Sequence, residues 1–104
     1  MKLIKAIIRT EKFEEVSNAL QEIGVEYFTF FNGQRIDKSD TQTVSYRGRS
    51  TDQVVNMDIM EVQVVIADNI LQEVVVCIKE AAYTGLPGDG RLFISSIENS
   101  ITIE

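Results

Sequence analysis

Residues 84–91, TGLPGDGR, constrain this chain more tightly than any other stretch. Three of its six glycines and its only proline fall there. A chain that places so many flexible and ring-locked residues together must turn at that point. Glycine also lets the main chain approach a ligand closely. Successive backbone N–H groups in such a turn can form a concave anion site, to which Arg91 adds a permanent positive charge. The segment therefore reads as a phosphate cradle. The competing reading is a plain turn, because Pro-Gly and Asp-Gly mark turns in many proteins. The flanking segments decide between the two.

Residues 2–8 (KLIKAII) are aliphatic and predict a buried strand. Thr10 is placed to cap a helix, with Glu11 in its first turn. Phe13, Val16, Leu20 and Ile23 then recur at helical spacing and Gly24 supplies the stop. Residues 25–31 (VEYFTFF) are β-branched and aromatic and predict a second strand. From Asn32 to about Asp58 the chain is polar with no sustained apolar period, which predicts a long protein-contacting loop with short strand pieces such as residues 43–46. Residues 59–66 (IMEVQVVI) predict a third strand. Asp68 is placed to cap a second helix whose apolar stripe is Ile70, Leu71, Val74, Ile78, Ala81 and Ala82. Cys77 reads as a small core residue. Residues 91–97 predict a fourth strand and residues 101–103 a short terminal one. The order strand, helix, strand, loop, strand, helix, strand is that of an α+β, ferredoxin-like βαββαβ sandwich: an antiparallel sheet with both helices on one face. One domain spanning 1–104 is expected.

The chain carries a net charge of −6, which argues against nucleic acid or an anionic membrane as the main partner. It has no histidine and one cysteine, so the commonest general base and the commonest transition-metal ligand are missing and no internal disulfide can form. No metal site and no catalytic residue is expected. With no apolar run of spanning length and no opening signal segment, a cytoplasmic location is expected.

At this point four segments resemble the PII signal-transduction family. The opening MKLIKAIIRTEKFEEVSNALQEIGV resembles its first strand and helix. Tyr46-Arg47-Gly48 falls where the family's T-loop carries Tyr-Arg-Gly, and residues 63–68 (QVVIAD) resemble its third strand running into the second helix. Most specifically, Thr84-Gly85-Leu86-Pro87-Gly88-Asp89-Gly90-Arg91-Leu92-Phe93 resembles the family's B-loop. The resemblance implies a homotrimer that binds ADP or ATP, and AMP, as effector in clefts between subunits. It would regulate a membrane transporter or metabolic enzyme through a T-loop spanning about 34–58. It implies that Thr84, Gly85, Gly88, Asp89, Gly90 and Arg91 of the B-loop (84–91) surround the phosphates. Thr29, Gln63 and Val65 would lie near base or ribose, and Gly33 and Arg35 where the T-loop base approaches the phosphates. Tyr46, Arg47 and Arg49 would belong to the partner-binding loop.

The departures are specific. The family's terminal strand carries two arginines that reach the outer phosphates; here Thr102 and Glu104 stand there. Losing two positive charges and gaining a negative one weakens a triphosphate more than a shorter phosphate chain, so ADP or AMP is expected to compete well with ATP. Met57-Asp58-Ile59-Met60 offers no lysine of the kind the family uses for 2-oxoglutarate, so magnesium-dependent sensing of that metabolite is not expected. Two alternatives stand beside this reading. An acylphosphatase-like phosphate-ester hydrolase on the same fold would draw on Arg9 and Asn32. A metal-responsive trimer of the CutA kind is opposed by the lack of histidine and the single cysteine.

Overall fold

A computed structural model describes the backbone of residues 1–46 and 49–104, with side chains described outside residues 37–55. Strand β1 (Lys2–Arg9) is followed by a 3-10 turn at Thr10–Lys12 and helix α1 (Phe13–Glu22). Strands β2 (Thr29–Tyr46) and β3 (Arg49–Ile66) come next, then a second 3-10 turn at Asp68–Ile70, helix α2 (Leu71–Ala82) and strand β4 (Gly90–Ser96). The strands form one sheet in the order β2-β3-β1-β4, with every pair antiparallel. This is the ferredoxin-like arrangement that the order of elements predicts.

Alternation along the strands divides the sheet into two faces. Ile4, Ala6 and Ile8 of β1 and Met60, Val62, Val64 and Ile66 of β3 turn toward the helices and are buried. Val16 and Leu20 of α1 and Val74, Ile78 and Ala82 of α2 close over them, so the helical stripes read from sequence are the ones that meet the sheet. Each fully buried aliphatic side chain contributes about 1.5–3 kcal/mol. The three-valine run of α2 is helical despite its poor propensity, because Val74 is wholly buried; packing outweighs a few tenths of a kcal/mol per β-branched residue. Cys77 lies partly buried against this core, and burial, reinforced by Glu80, Glu22 and Glu73, raises its thiol pKa.

Several local expectations are corrected. Thr10 does not cap α1: the helix begins three residues later through the 3-10 turn, and the Thr10 hydroxyl is buried without a partner. Asp68 does not cap α2 either. Its carboxylate accepts from the Met1 ammonium at 2.9 Å, a fully charged partner that competes well against a backbone amide. This pairing lowers the Asp68 pKa, first through the hydrogen bond and then through the charge of the ammonium. The second strand starts at Thr29 rather than at residue 25, because Val25 folds back on α1, its N–H donating to Leu20 O at 3.0 Å. The fourth strand is shifted by one residue, and residues 101–103 form no strand: Ile101 and Ile103 are 81% and 99% exposed.

The largest difference concerns the polar segment between the second and third strands. The polar run that reads as a loop is an extension of β2 and β3 into a long two-stranded ribbon. It pairs Arg35 with Met57 and continues through Ser39 and Gln53, then past an irregularity to Tyr46 and Arg49. β1 pairs β3 only from Ile59 to Ile66, so the ribbon extends beyond the body of the sheet. Backbone hydrogen bonds between the two strands suffice to form such a ribbon, so its residue order needs no apolar alternation.

Candidate functional site

The loop between α2 and β4 is organised by one carboxylate. Asp89 Oδ2 accepts from Thr84 N at 2.8 Å and from Gly85 N at 3.1 Å. Its Oδ1 accepts from the Thr84 hydroxyl and from Arg9 Nε at 3.1 Å. Thr84 Oγ1 in turn accepts from Leu86 N at 3.2 Å. These donors, above all the Thr84 hydroxyl and then its amide, hold the Asp89 carboxyl far below the usual carboxylate range. Asp89 is therefore the staple of the loop. Its acceptor capacity is turned inward, so the side chain serves an anion site by shaping it.

Arg9, at the end of β1, completes the staple. Besides pairing with Asp89 it donates from Nη2 to Pro87 O at 2.7 Å. Two glycines then fit positions that other residues could not. Gly88 has φ +86, and a Cβ there would come within 3.3 Å of Arg35 Nη2 and 3.7 Å of Arg9 Nη2. Gly90 has φ +141, and its Cβ would lie 2.0 Å from the Ile7 carbonyl oxygen. The first keeps space open beside two guanidinium groups, and the second lets β4 begin against β1.

Arg35 reaches this loop from the base of the ribbon. Its Nη2 lies 3.5 Å from Gly88 O and 3.4 Å from Met57 Sδ. Ile7, Arg35, Gly88, Gly90, Arg91 and Phe93 line a cleft of about 500 Å³ on the sheet face turned away from the helices. The cleft has two guanidinium groups, apolar walls from Ile7 and Phe93, and glycine backbone: a place for an anion attached to a flat apolar group.

The expected site residues separate into groups. Arg35, Gly88, Gly90 and Arg91 share the cleft, while Thr84, Gly85 and Asp89 build the loop behind it. Thr29 and Gln63 face one another across β2 and β3, and Val65 is half exposed on the same outer face. None of these three lines the cleft. Gly33 sits opposite Ile59, where a Cβ would make only an ordinary contact at 3.6 Å. Tyr46 and Arg49 form the outermost described rung of the ribbon, and Arg47 lies outside the described residues. Sequence reasoning missed Arg9 as part of the loop, naming it only for a hydrolase. Its pairing partner is eighty positions away, and only the register of β1 against β4 brings them together. That hydrolase constellation does not assemble: Arg9 pairs in register with Ile59, and Asn32 with Met60, so strand alternation puts their side chains on opposite faces.

A ferredoxin-like sandwich, with a long ribbon formed by β2 and β3 and an arginine-flanked glycine loop on the open sheet face, is the architecture these elements build. Comparison with known proteins agrees at the level of family. The family described as "Nitrogen regulatory protein P-II" matches residues 1–104. "Nitrogen regulatory protein P-II" of Rhizobium meliloti is 38% identical over 104 residues, covering 99% of this chain and 91% of that protein. "Nitrogen regulatory protein GlnK" of Escherichia coli is 35% identical over the same shares. Among solved structures, that of B. subtilis GlnK superposes with a TM-score of 0.80 at 27% identity, covering 96% of this chain and 87% of that one. The chain belongs to the nitrogen regulatory P-II family, and its role is accordingly in signal transduction.

Proposed function

We propose that the protein is a trimeric regulator that binds an adenine nucleotide, with the phosphates in the cleft of Arg35, Gly88, Gly90 and Arg91, and presents its β2–β3 ribbon to a transporter or enzyme. The observation that carries this reading is the convergence of two guanidinium groups on a glycine loop already stapled from behind. Because Asp89 and Arg9 hold the loop, its glycine backbone is set before any ligand arrives, and little ordering cost remains at binding. Ile7 and Phe93 give a base an apolar surface. Thr29, Gln63 and Val65 lie on the same sheet face outside the cleft, so they suit a contribution from a neighbouring copy. The PII family of regulators supports a binding role rather than catalysis. No helix among the described residues is long and apolar enough to cross a membrane, and we place the regulator in the cytoplasm.

Charge sets the ligand preference. Asp89 offsets Arg9, leaving Arg35 and Arg91 as the cations that line the cleft, and Thr102 and Glu104 add none. Two positive charges balance a short phosphate chain better than a triphosphate. Titration calorimetry with ATP, ADP and AMP tests this. ADP or AMP should bind within about ten-fold of ATP, roughly 1.4 kcal/mol. Arg91→Ala should weaken binding by about 1–3 kcal/mol, as for one lost charge-assisted hydrogen bond. No saturable heat with any of the three nucleotides would remove the ligand assignment, and an unchanged affinity in the variant would remove Arg91 from it.

A further inference from the structure

A second opening lies on the other side of β4. Helix α2 rests on β1 and makes little contact with β4. The helix-facing side of β4 is correspondingly open: Leu92 is only partly buried and Ile94 is 47% exposed. Between the last turns of α2 and the start of β4 is a cavity of about 340 Å³. Its apolar walls are Ile8, Ile78, Ala82 and Leu92, and Lys79, Tyr83 and Arg91 also line it. The space opens to solvent past Lys79 and Tyr83, and an apolar-walled opening of this size has room for a small guest.

The charge around the space limits what that guest can be. The protein as a whole is acidic, yet this lining holds one ammonium, Lys79, and a single acid; Arg91 pairs in register with Ile7, so its guanidinium belongs to the other face of β4. That acid is Asp89, whose oxygens are engaged by Thr84, Gly85 and Arg9. Lys79 makes no hydrogen bond or ion pair among the described residues. An apolar wall with an unengaged ammonium at its edge matches a molecule with a hydrocarbon body and one negative end.

We infer that this cavity binds a small amphipathic carboxylate, its hydrocarbon portion against Ile8, Ile78, Ala82 and Leu92 and its carboxylate paired with Lys79. The site is separate from the nucleotide cleft, which lies on the opposite face of β4, and the inference stands whether or not that cleft takes a nucleotide. Both openings nevertheless share Gly90 and Arg91, so a guest here would press on the loop from behind.

The test is an amide-resonance titration of the full chain with hexanoate, hexanol and hexylamine in parallel. Hexanoate should give saturable shifts centred on Ile78, Lys79, Ala82 and Leu92. Hexanol, with the same chain and no charge, should bind about ten-fold more weakly, the worth of one charge-assisted contact. Lys79→Ala, an exposed substitution that leaves the core intact, should reduce hexanoate to the level of hexanol. The inference is overturned if hexanol or hexylamine binds as well as hexanoate, or if hexanoate gives no saturable shift. It is equally overturned if the shifts centre on Ile7 and Phe93, or if Lys79→Ala leaves the preference for hexanoate unchanged.

Discussion

Gly90 and Gly24 share a left-handed backbone but differ in what surrounds them. At Gly24, φ is +90 and nothing lies within 4 Å of an added Cβ. Alanine there should lose only the left-handed preference, about 1–2 kcal/mol. At Gly90 the added carbon meets the Ile7 carbonyl at 2.0 Å. That carbonyl belongs to the β1 backbone and cannot move without disturbing the sheet. Denaturant unfolding should therefore show Gly90→Ala to be the more damaging of the two, by about 1–3 kcal/mol beyond the dihedral penalty, the scale of a strained site forced on its surroundings. Equal losses would mean that β4 can shift away from β1 at little cost. Asp89 supplies a pH-dependent counterpart. Its folded-state pKa is depressed, so its contribution to stability is complete above the unfolded-state value, about 3.9, and is lost as pH falls below it. Asp89→Asn should lower stability at neutral pH and flatten the acid limb of the stability profile below about pH 4. Parallel acid limbs in the two proteins would show that other carboxylates dominate acid unfolding.

The β2–β3 ribbon is the element least legible in the residue order. Helical periodicity identified α1 and α2 because each must bury one stripe, and burial leaves a trace in residue order. The ribbon is held by backbone hydrogen bonds between β2 and β3, which leave no trace in residue type, so the polar run reads as loop. The caps failed for a related reason. Thr10 and Asp68 are good capping residues in isolation, but the chain enters both helices through 3-10 turns, and Asp68 finds the Met1 ammonium instead. In the site, TGLPGDGR was legible because glycine and proline report directly on backbone geometry; Arg9 was not, since its role depends on sheet pairing. The ribbon's independence gives a test. Arg35 and Met57 are directly opposite, so an Asn-Gly turn can replace residues 36–56 and close a normal hairpin. The shortened protein should keep the melting temperature and the number of subunits of the full chain, because the core residues lie elsewhere. A fall in subunit number, read as particle mass divided by the mass of the shortened chain, would show that the ribbon holds copies together.

At the level of the whole molecule, the unresolved demand is the outer face of the sheet. Helices cover one side only. On the other side Phe31, Val65 and Phe93 are 56%, 48% and 49% exposed, and Leu3 and Ile7 are only partly buried. Large apolar side chains gathered on one face mark a surface meant for association, and a protomer of 104 residues gains more from sharing that surface than a larger one would. The proposed nucleotide cleft opens on this same face, so assembly and ligand binding should depend on one another. Phe93 lines the cleft and lies in the row that also holds Lys5, Gln63 and Thr29. Phe93→Glu places a charge on the shared surface without touching the helix-side core, so the fold should survive. Light scattering should then give three times 11.7 kDa for the parent chain and a monomer for the variant, and the variant should also lose nucleotide binding. A parent chain that runs as a monomer would separate the fold from the proposed assembly. A variant that stays trimeric would put the subunit contact on another face, and the clefts between subunits would have to be drawn elsewhere.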